Sequence, residues 1–97
     1  MRRAGRKDGL QREVVQALRD IGVTVRVLNQ EGIPDLLCHS RGKWLAVEVK
    51  MPGEKLTPMQ QKLYDEAPYP VVHSVNAALN LYGVWYANPY PPLPKVS

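Results

Sequence analysis

Residues 32–50 read GIPDLLCHSRGKWLAVEVK, and this stretch decides the fold. Two apolar runs, 35–40 and 43–50, have the length of strands, and Arg41-Gly42 between them is a tight-turn dipeptide. Strands joined by so short a turn must pair in antiparallel fashion. The stretch therefore predicts a β-hairpin whose first strand opens on an acid, Asp35.

Two charged residues, Glu48 and Lys50, lie at the end of the second predicted strand. They project from the same face, about 7 Å apart, because alternate side chains of a strand share a face. Antiparallel pairing brings Asp35 close to Glu48, and neighbouring carboxylates repel unless a cation or proton separates them. The two carboxylates and the Val49 carbonyl offer the hard oxygens that Mg²⁺ or Mn²⁺ prefers. The pattern predicts a divalent-metal site in which Lys50 holds the attacking water or a phosphate.

An alternative for Glu48 and Lys50 is an exposed ion pair on an edge strand, which would contribute less than about 1 kcal/mol. The almost continuous apolar run from Trp44 to Val49 argues against it. Such a run predicts a strand covered on both faces. Charges in a covered strand are costly, so this context favours a functional pair.

The same residues resemble a known family. Pro34-Asp35 with Glu48-x-Lys50 resembles the PD-(D/E)XK nuclease signature. The longer string formed by 31–37, 48–53 and 55–60 is similar to the VRR-NUC (virus-type replication-repair nuclease) branch. The resemblance spans roughly residues 10 to 82. It implies a small phage or bacterial type of endonuclease that needs Mg²⁺ or Mn²⁺, hydrolyses DNA phosphodiester bonds, and selects junctions, flaps or forks in replication, recombination or repair.

The resemblance also implies site residues outside the hairpin. In nucleases similar to Holliday junction resolvases, a glutamate of the first helix often reaches the metal, which points to Glu13. Its alternative is a surface residue paired with nearby cations. The resemblance likewise places Gln60 near the active site. Thr57-Pro58-Met59-Gln60 also fits a capping box, in which this glutamine folds back on the backbone of Thr57. Both interpretations of Gln60 stay open at this point.

Periodicity outlines the remaining elements. Helical spacing from Leu10 to Ile21, with Asp8 as N-cap, predicts the first helix, which Gly22 ends. The other predicted elements are strands at 23–28, 35–40, 43–50 and 71–75, and helices at 58–66 and 75–81. The order αβββαβα predicts an α/β fold, a mixed sheet flanked by helices, as expected of a PD-(D/E)XK nuclease domain. We expect that domain over 1–87 and a proline-rich arm over 88–97.

The charge distribution fits a polyanionic partner. The net charge is +4, and residues 1–26 alone carry seven basic and three acidic side chains, which accounts for all of it. A basic segment beside an acidic pocket suits DNA whose reacting phosphate is held by metal. The predicted DNA-binding residues are Arg2, Arg3, Arg6, Lys7, Arg41, Lys43, Lys55, Thr57 and Lys62.

Other features limit the classes of protein. One cysteine, Cys38, excludes an internal disulfide, and no apolar run is long enough to span a bilayer. We expect a soluble, cytoplasmic protein without a membrane partner. A homodimer is expected, because resolvase-like nucleases cut two strands by pairing and because 79–86 is rich in apolar and aromatic residues.

Two other functions remain compatible with the sequence. One is a non-catalytic nucleic-acid-binding module that keeps the nuclease fold. The other is a structural protein that works through its tail, where Pro91-x-x-Pro94 is compatible with SH3-type ligands. The intact Asp35, Glu48 and Lys50 count against the binding module, while the tail hypothesis predicts that removing 88–97 abolishes function and Asp35→Ala does not.

Overall fold

The structure is a computed structural model that describes residues 3–83, with side chains from residue 8 onward. Seven elements follow one another along the chain in the predicted order. They are α1 Arg3–Asp20, β1 Thr24–Val27, β2 Leu36–Ser40, β3 Lys43–Val49, α2 Pro58–Glu66, β4 Val71–Val72 and α3 Val75–Asn80. The α/β fold with a mixed sheet flanked by helices is confirmed.

The four strands form one sheet in the order β1-β2-β3-β4. The first three strands pair in antiparallel fashion, and β4 runs parallel to β3. The register aligns Leu36 with Val47 and His39 with Trp44. Arg41 and Gly42 form the predicted two-residue turn, both with positive φ (54° and 79°), as a type I′ hairpin turn requires.

One face of the sheet packs on α1 and α3 to form the core. Leu36 and Cys38 of β2 and Val47 and Val49 of β3 point to this face, and all four are fully buried. From α1, Val14 and Leu18 complete the cluster with the other core residues, which are Val15, Val23, Val25, Val72, Ala78 and Leu79. The alternation of the strands sends Asp35, Glu48 and Lys50 to the opposite face.

Two predictions about these elements are wrong. The first helix begins at Arg3, so Asp8 lies within α1 and is not its N-cap. The strand β3 is not covered on both faces along its length, because Lys43 and Trp44 are exposed and only its last three residues are buried. Lys43 and Trp44 lie next to the turn, where β4 does not extend.

The C-terminus of α1 and the N-termini of α2 and α3 lie where local sequence signals end or begin a helix. Gly22, with φ +92°, ends the first helix, and Val23 N–H donates to Leu18 O at 3.0 Å in a Schellman arrangement. Thr57 caps α2 and Ser74 caps α3. Within residues 3–83, no helix is both long and apolar enough to cross a membrane. The expected domain boundary at 87 and the arm 88–97 lie outside the described residues.

Candidate active site

The site is centred on Glu48, whose side chain is completely buried. Its Oε1 accepts a hydrogen bond from the backbone N–H of Asp35 at 3.2 Å. Its Oε2 accepts from the side-chain amide of Gln60 at 3.2 Å and lies 3.5 Å from the ammonium of Lys50. The structure therefore brings together four of the five predicted catalytic residues: Asp35, Glu48, Lys50 and Gln60.

Asp35 and β3 are held together by a reciprocal pair of bonds. While the N–H of Asp35 donates to Glu48, the Asp35 Oδ2 accepts from the N–H of Val49 at 3.1 Å. Asp35 precedes β2 by one residue. Its carboxylate accepts from the Val49 N–H, which would otherwise bond to the backbone of the next residue in the ladder. Continuing the register sets Pro34 opposite Val49, and a proline has no N–H to offer the Val49 carbonyl.

Gly32, in the loop before β2, lies next to Met59 of α2. Gly32 has φ +83°, and a Cβ at this residue would lie 3.4 Å from the sulfur of Met59 in α2. A side chain at position 32 would therefore be strained by its backbone, while its Cβ would make an ordinary van der Waals contact with Met59. Leu28 N–H donates to Asp35 O at 2.7 Å, which anchors Asp35 to the end of β1.

Glu48 and Lys50 are also fixed from the other side of their strand. The N–H of Glu48 donates to Pro70 O and that of Lys50 donates to Val72 O, both at 3.0 Å. The ring Nδ1 of His73 lies 3.1 Å from the carbonyl of Lys50, an arrangement in which the nitrogen donates. No local pattern in the sequence predicts this contact, because it joins residues that are 23 positions apart.

Gln60 takes both of the positions that the sequence left open, in the capping box of α2 and beside Glu48. Its Oε1 accepts from the N–H of Thr57 at 2.9 Å, and its own N–H donates to the Thr57 hydroxyl at 3.2 Å, which completes the capping box. Its Nε2 meanwhile donates to Glu48. One side chain is thus a helix cap and a neighbour of the buried carboxylate, because an amide has an acceptor and donors.

Tyr69 supports this arrangement from the segment that follows α2. Its hydroxyl donates to the backbone carbonyl of Gln60 at 3.0 Å, and its ring meets that of Tyr64 edge-on at 5.3 Å. Burial raises the pKa of the Tyr69 phenol, and the charge of Glu48 raises it further. The phenol therefore stays protonated and remains a donor at neutral pH.

Glu13 is not brought to these residues. It lies on the exposed side of α1, beside a groove that Ser74, Val75 and Asn76 line from the start of α3. The first helix packs on the core face, opposite the one that carries Glu48. Among residues 3–83 no three His, Cys, Asp or Glu side chains form a group able to hold a metal. The role of Glu13 stays a prediction without support from its position.

The predicted DNA-binding residues whose side chains are described lie in two parts of the fold, the hairpin turn and the region of α2. Arg41 and Lys43 are exposed at the hairpin turn, while Lys55 and Lys62 are exposed near α2. Thr57 is exposed, with its hydroxyl engaged in the helix cap. Arg2 lies outside the described residues, and of Arg3, Arg6 and Lys7 only the helical backbone is described. Their contact with DNA stays a prediction.

Asp35 and Glu48 offer carboxylate oxygens, the donor type that a hard divalent cation takes. Asp35 and Glu48 approach from adjacent positions on two strands, and each binds the backbone beside the other. Oxygen donors of this kind suit Mg²⁺ or Mn²⁺ better than softer metals. A cation at this place would offset the cost of a fully buried carboxylate, as Lys50 already does in part.

Comparisons with known proteins give one informative likeness. No protein-family model matches the sequence, and no curated protein matches it either. A solved structure described as a VRR_NUC domain superposes with a TM-score of 0.65 and 29% sequence identity. The match covers 77% of this chain and 91% of the other. That likeness, together with the sheet and the arrangement of Asp35, Glu48 and Lys50, supports a VRR-NUC domain.

Proposed function

We propose that this domain is a metal-dependent endonuclease that hydrolyses DNA phosphodiester bonds and selects junctions, flaps or forks. The observation that carries the proposal is the fully buried Glu48, held between Lys50 and Gln60 and bound to the backbone of Asp35. Burying a carboxylate costs several kcal/mol, at about the scale of a domain's whole stability margin. A cost of this size is typical of a functional site.

Asp35, Glu48 and the carbonyl of Val49 are the groups that would hold Mg²⁺ or Mn²⁺. When bound, such an ion lowers the pKa of its water and neutralises charge on the phosphoryl oxygens. Pro34 supports the third ligand, because continuing the register places it where a backbone donor would otherwise engage the Val49 carbonyl. The VRR_NUC likeness supports a nuclease but leaves the choice of ion to experiment.

Lys50 has the position and charge for two roles. Its ammonium lies 3.5 Å from Glu48, and its side chain is 4% exposed. A cation fixed in so dry a place stabilises negative charge that develops on a phosphate oxygen. It also donates hydrogen bonds that orient a water for attack. Gln60 restricts the orientation of the Glu48 carboxylate through its amide.

The experiment is a cleavage assay over blunt duplex, flap, fork and four-way-junction DNA, with Mg²⁺, Mn²⁺ or EDTA. We expect cleavage with either ion and none in EDTA. Asp35→Asn removes a ligand charge while keeping the side chain's size, so cleavage should fall below detection with the thermal unfolding curve unchanged. Glu31→Gln is the matched control, because it neutralises an exposed carboxylate four residues away and should cut normally.

Two results would count against this function. A protein that binds DNA equally well in EDTA and never cuts any substrate is the binding module that the sequence also allowed. Near wild-type cleavage by Asp35→Asn would show that the metal is held elsewhere. A role carried by the tail instead predicts that deleting 88–97 abolishes function while Asp35→Asn has no effect.

We further propose a homodimer, since one active site must otherwise reposition to cut two strands. Light scattering at micromolar concentration should give a mass near twice 10.9 kDa. Within the apolar stretch 79–86, Leu79 and Tyr82 pack in or against the core, so a charge at either would unfold the domain rather than split a dimer. Leu81→Glu is the better probe, because Leu81 is 37% exposed. A monomeric wild type that makes paired cuts would contradict the dimer.

A further inference from the structure

The sheet face that carries Glu48 continues beyond the site and becomes open. Moving back along β3, Glu48 is fully buried, Ala46 is half-buried, and Trp44 is 63% exposed. Their neighbours on β2, Leu37 and His39, are half-buried. Tryptophan carries the largest apolar surface of any side chain, and leaving it exposed forgoes the burial that normally stabilises it. We call Leu37, His39, Trp44 and Ala46 the open face.

Trp44 is held in place although it is exposed. It pairs with His39 across the hairpin, and the two rings lie 4.6 Å apart at an angle of 57°. The hairpin closes through Arg41 and Gly42, whose positive φ values fit the short turn that matches strand twist. One side of the indole is therefore braced by the imidazole while most of the ring stays accessible. A braced aromatic ring is suited to stacking, because little freedom is lost when a flat partner settles on it.

The position of Trp44 relates it to the candidate site. Trp44 and Glu48 point to the same face of β3, four residues apart, which corresponds to about 13 Å. Stacked nucleotides advance about 3.4 Å per step. A DNA strand whose phosphate lies at Asp35 and Glu48 would thus reach Trp44 within about four nucleotides, and sooner if the strand is stretched.

The charges around the open face fit a polyanion. Arg26 of β1 pairs with Leu37, so its side chain lies on this face, and it is exposed. Arg41 is exposed at the turn. Apart from the site's own Asp35 and Glu48, the described strand residues on this face include no carboxylate. Arginines beside an aromatic ring combine phosphate contact with base stacking, which is how single-stranded nucleic acid is bound without sequence preference.

We propose that Trp44, braced by His39, stacks on one unpaired base of the DNA strand that the candidate site cuts. The flat face of a base is covered by its neighbours inside a duplex and is accessible where a strand leaves it. The platform therefore favours DNA in which a single-stranded segment lies next to the cleavage point. This inference rests on the proposed nuclease function and narrows its substrate class to duplex DNA with an unpaired tail or arm.

Binding is the first test, measured in EDTA so that it does not depend on cleavage. The probes are a blunt duplex and the same duplex with a single-stranded tail at either end. We expect Trp44→Ala to weaken tailed-DNA binding about tenfold and to leave blunt-duplex binding within twofold. Trp44→Phe should retain most of the affinity, and Ile21→Ala, which truncates another exposed apolar side chain, should change neither.

An abasic series isolates the stack itself. Removing the base from one of the first four unpaired nucleotides should lower wild-type affinity to the level of Trp44→Ala. The same removal should cost Trp44→Ala nothing further, because the two changes delete the same interaction. If base removal and Trp44→Ala weaken binding independently at all four nucleotides, the proposal is overturned.

Fluorescence gives a second readout on the folded protein. The chain has two tryptophans, so Trp85→Phe leaves Trp44 as the reporter. Acrylamide should quench Trp44 freely without DNA, and tailed DNA should quench its emission and shield it. A Trp44 that is already shielded without DNA, by a second copy or by the chain itself, would overturn the proposal.

The inference and the function on which it rests fail in different assays. If Trp44→Ala binds tailed DNA as tightly as wild type while Asp35→Asn abolishes cutting, the platform is wrong and the nuclease stands. If Asp35→Asn still cuts, the metal assignment is wrong, whatever the binding data show.

Discussion

The two ends of β3 follow the same alternation but have opposite environments. At one end Glu48 is fully buried and Lys50 is 3% exposed, whereas at the other end Trp44 is 63% exposed. Charged residues are almost never fully buried unless paired, and tryptophan is highly buried on average. The usual order of burial is thus reversed along one strand. Both reversals have a functional interpretation, a metal site at the buried end and a stacking platform at the exposed end.

The different surroundings of the two ends explain the reversal. Near Glu48, β4 adds a parallel neighbour and α2 contributes Gln60. Near Trp44, β3 has only β2 as a partner, and no described element covers the face. Alternation therefore tells which face a side chain occupies, while the neighbouring elements decide whether that face is dry. A carboxylate is costly only at the dry end, because there it has lost its water.

The largest expected effect is a difference in stability between a variant at the buried end of β3 and one at its exposed end. Glu48→Gln leaves Lys50 buried beside a neutral group, so we expect no cleavage and a loss of about 3–5 kcal/mol in the free energy of unfolding. Trp44→Ala should change that free energy by no more than about 0.5 kcal/mol, since the ring is mostly exposed. Urea unfolding measures both. Equal losses in the free energy of unfolding would show that Glu48 and Trp44 contribute alike to stability, contrary to this comparison.

A smaller effect is expected when the cation at the buried end is changed. Lys50→Ala should lower turnover about 10²-fold if the ammonium acts on the transition state. Lys50→Met removes the same charge while filling the space, so a similar loss in both variants assigns the effect to charge rather than packing. Steady-state kinetics separate the roles: a rise in KM with unchanged kcat would make Lys50 a phosphate-binding residue instead.

The smallest effect concerns Gln60, which links the dry end to α2. Gln60→Glu keeps the capping box but replaces the amide donor by a like charge beside Glu48, so we expect about tenfold slower cleavage and a lower free energy of unfolding. Thr57→Ala removes the cap and leaves the contact with Glu48, so stability should fall by about 1 kcal/mol with a smaller loss of turnover. The opposite ranking of the two rates would assign Gln60 to the helix alone.

Local signals were enough to predict most of the architecture. The Arg41-Gly42 turn and the Thr57-Pro58 start of α2 depend on residues close in sequence, and both are confirmed. The start of α1 was misplaced because a helical backbone can continue upstream of a residue that looks like a cap. Asp8 has capping chemistry, but capping also requires non-helical dihedral angles, which a sequence does not show.

The candidate site was predictable where chemistry and strand spacing coincide. Glu48 and Lys50 had to share a face, and the short hairpin had to bring Asp35 near. The exposure of Trp44 was not predictable, because an apolar run does not reveal where neighbouring strands and helices end. The double role of Gln60 also required the fold, since its contact with Glu48 crosses 12 residues.

The small buried surface of α2 affects how the domain responds to heating. Gln60 is the buried residue of this helix, so few apolar contacts resist its release. Segments with little buried surface open locally below the temperature at which the whole domain melts. The Glu48 carboxylate would then lose its amide partner while the core of α1, α3 and the sheet stays folded. Inactivation on warming should accordingly precede global unfolding, and amide hydrogens of residues 61–66 should exchange before those of β3.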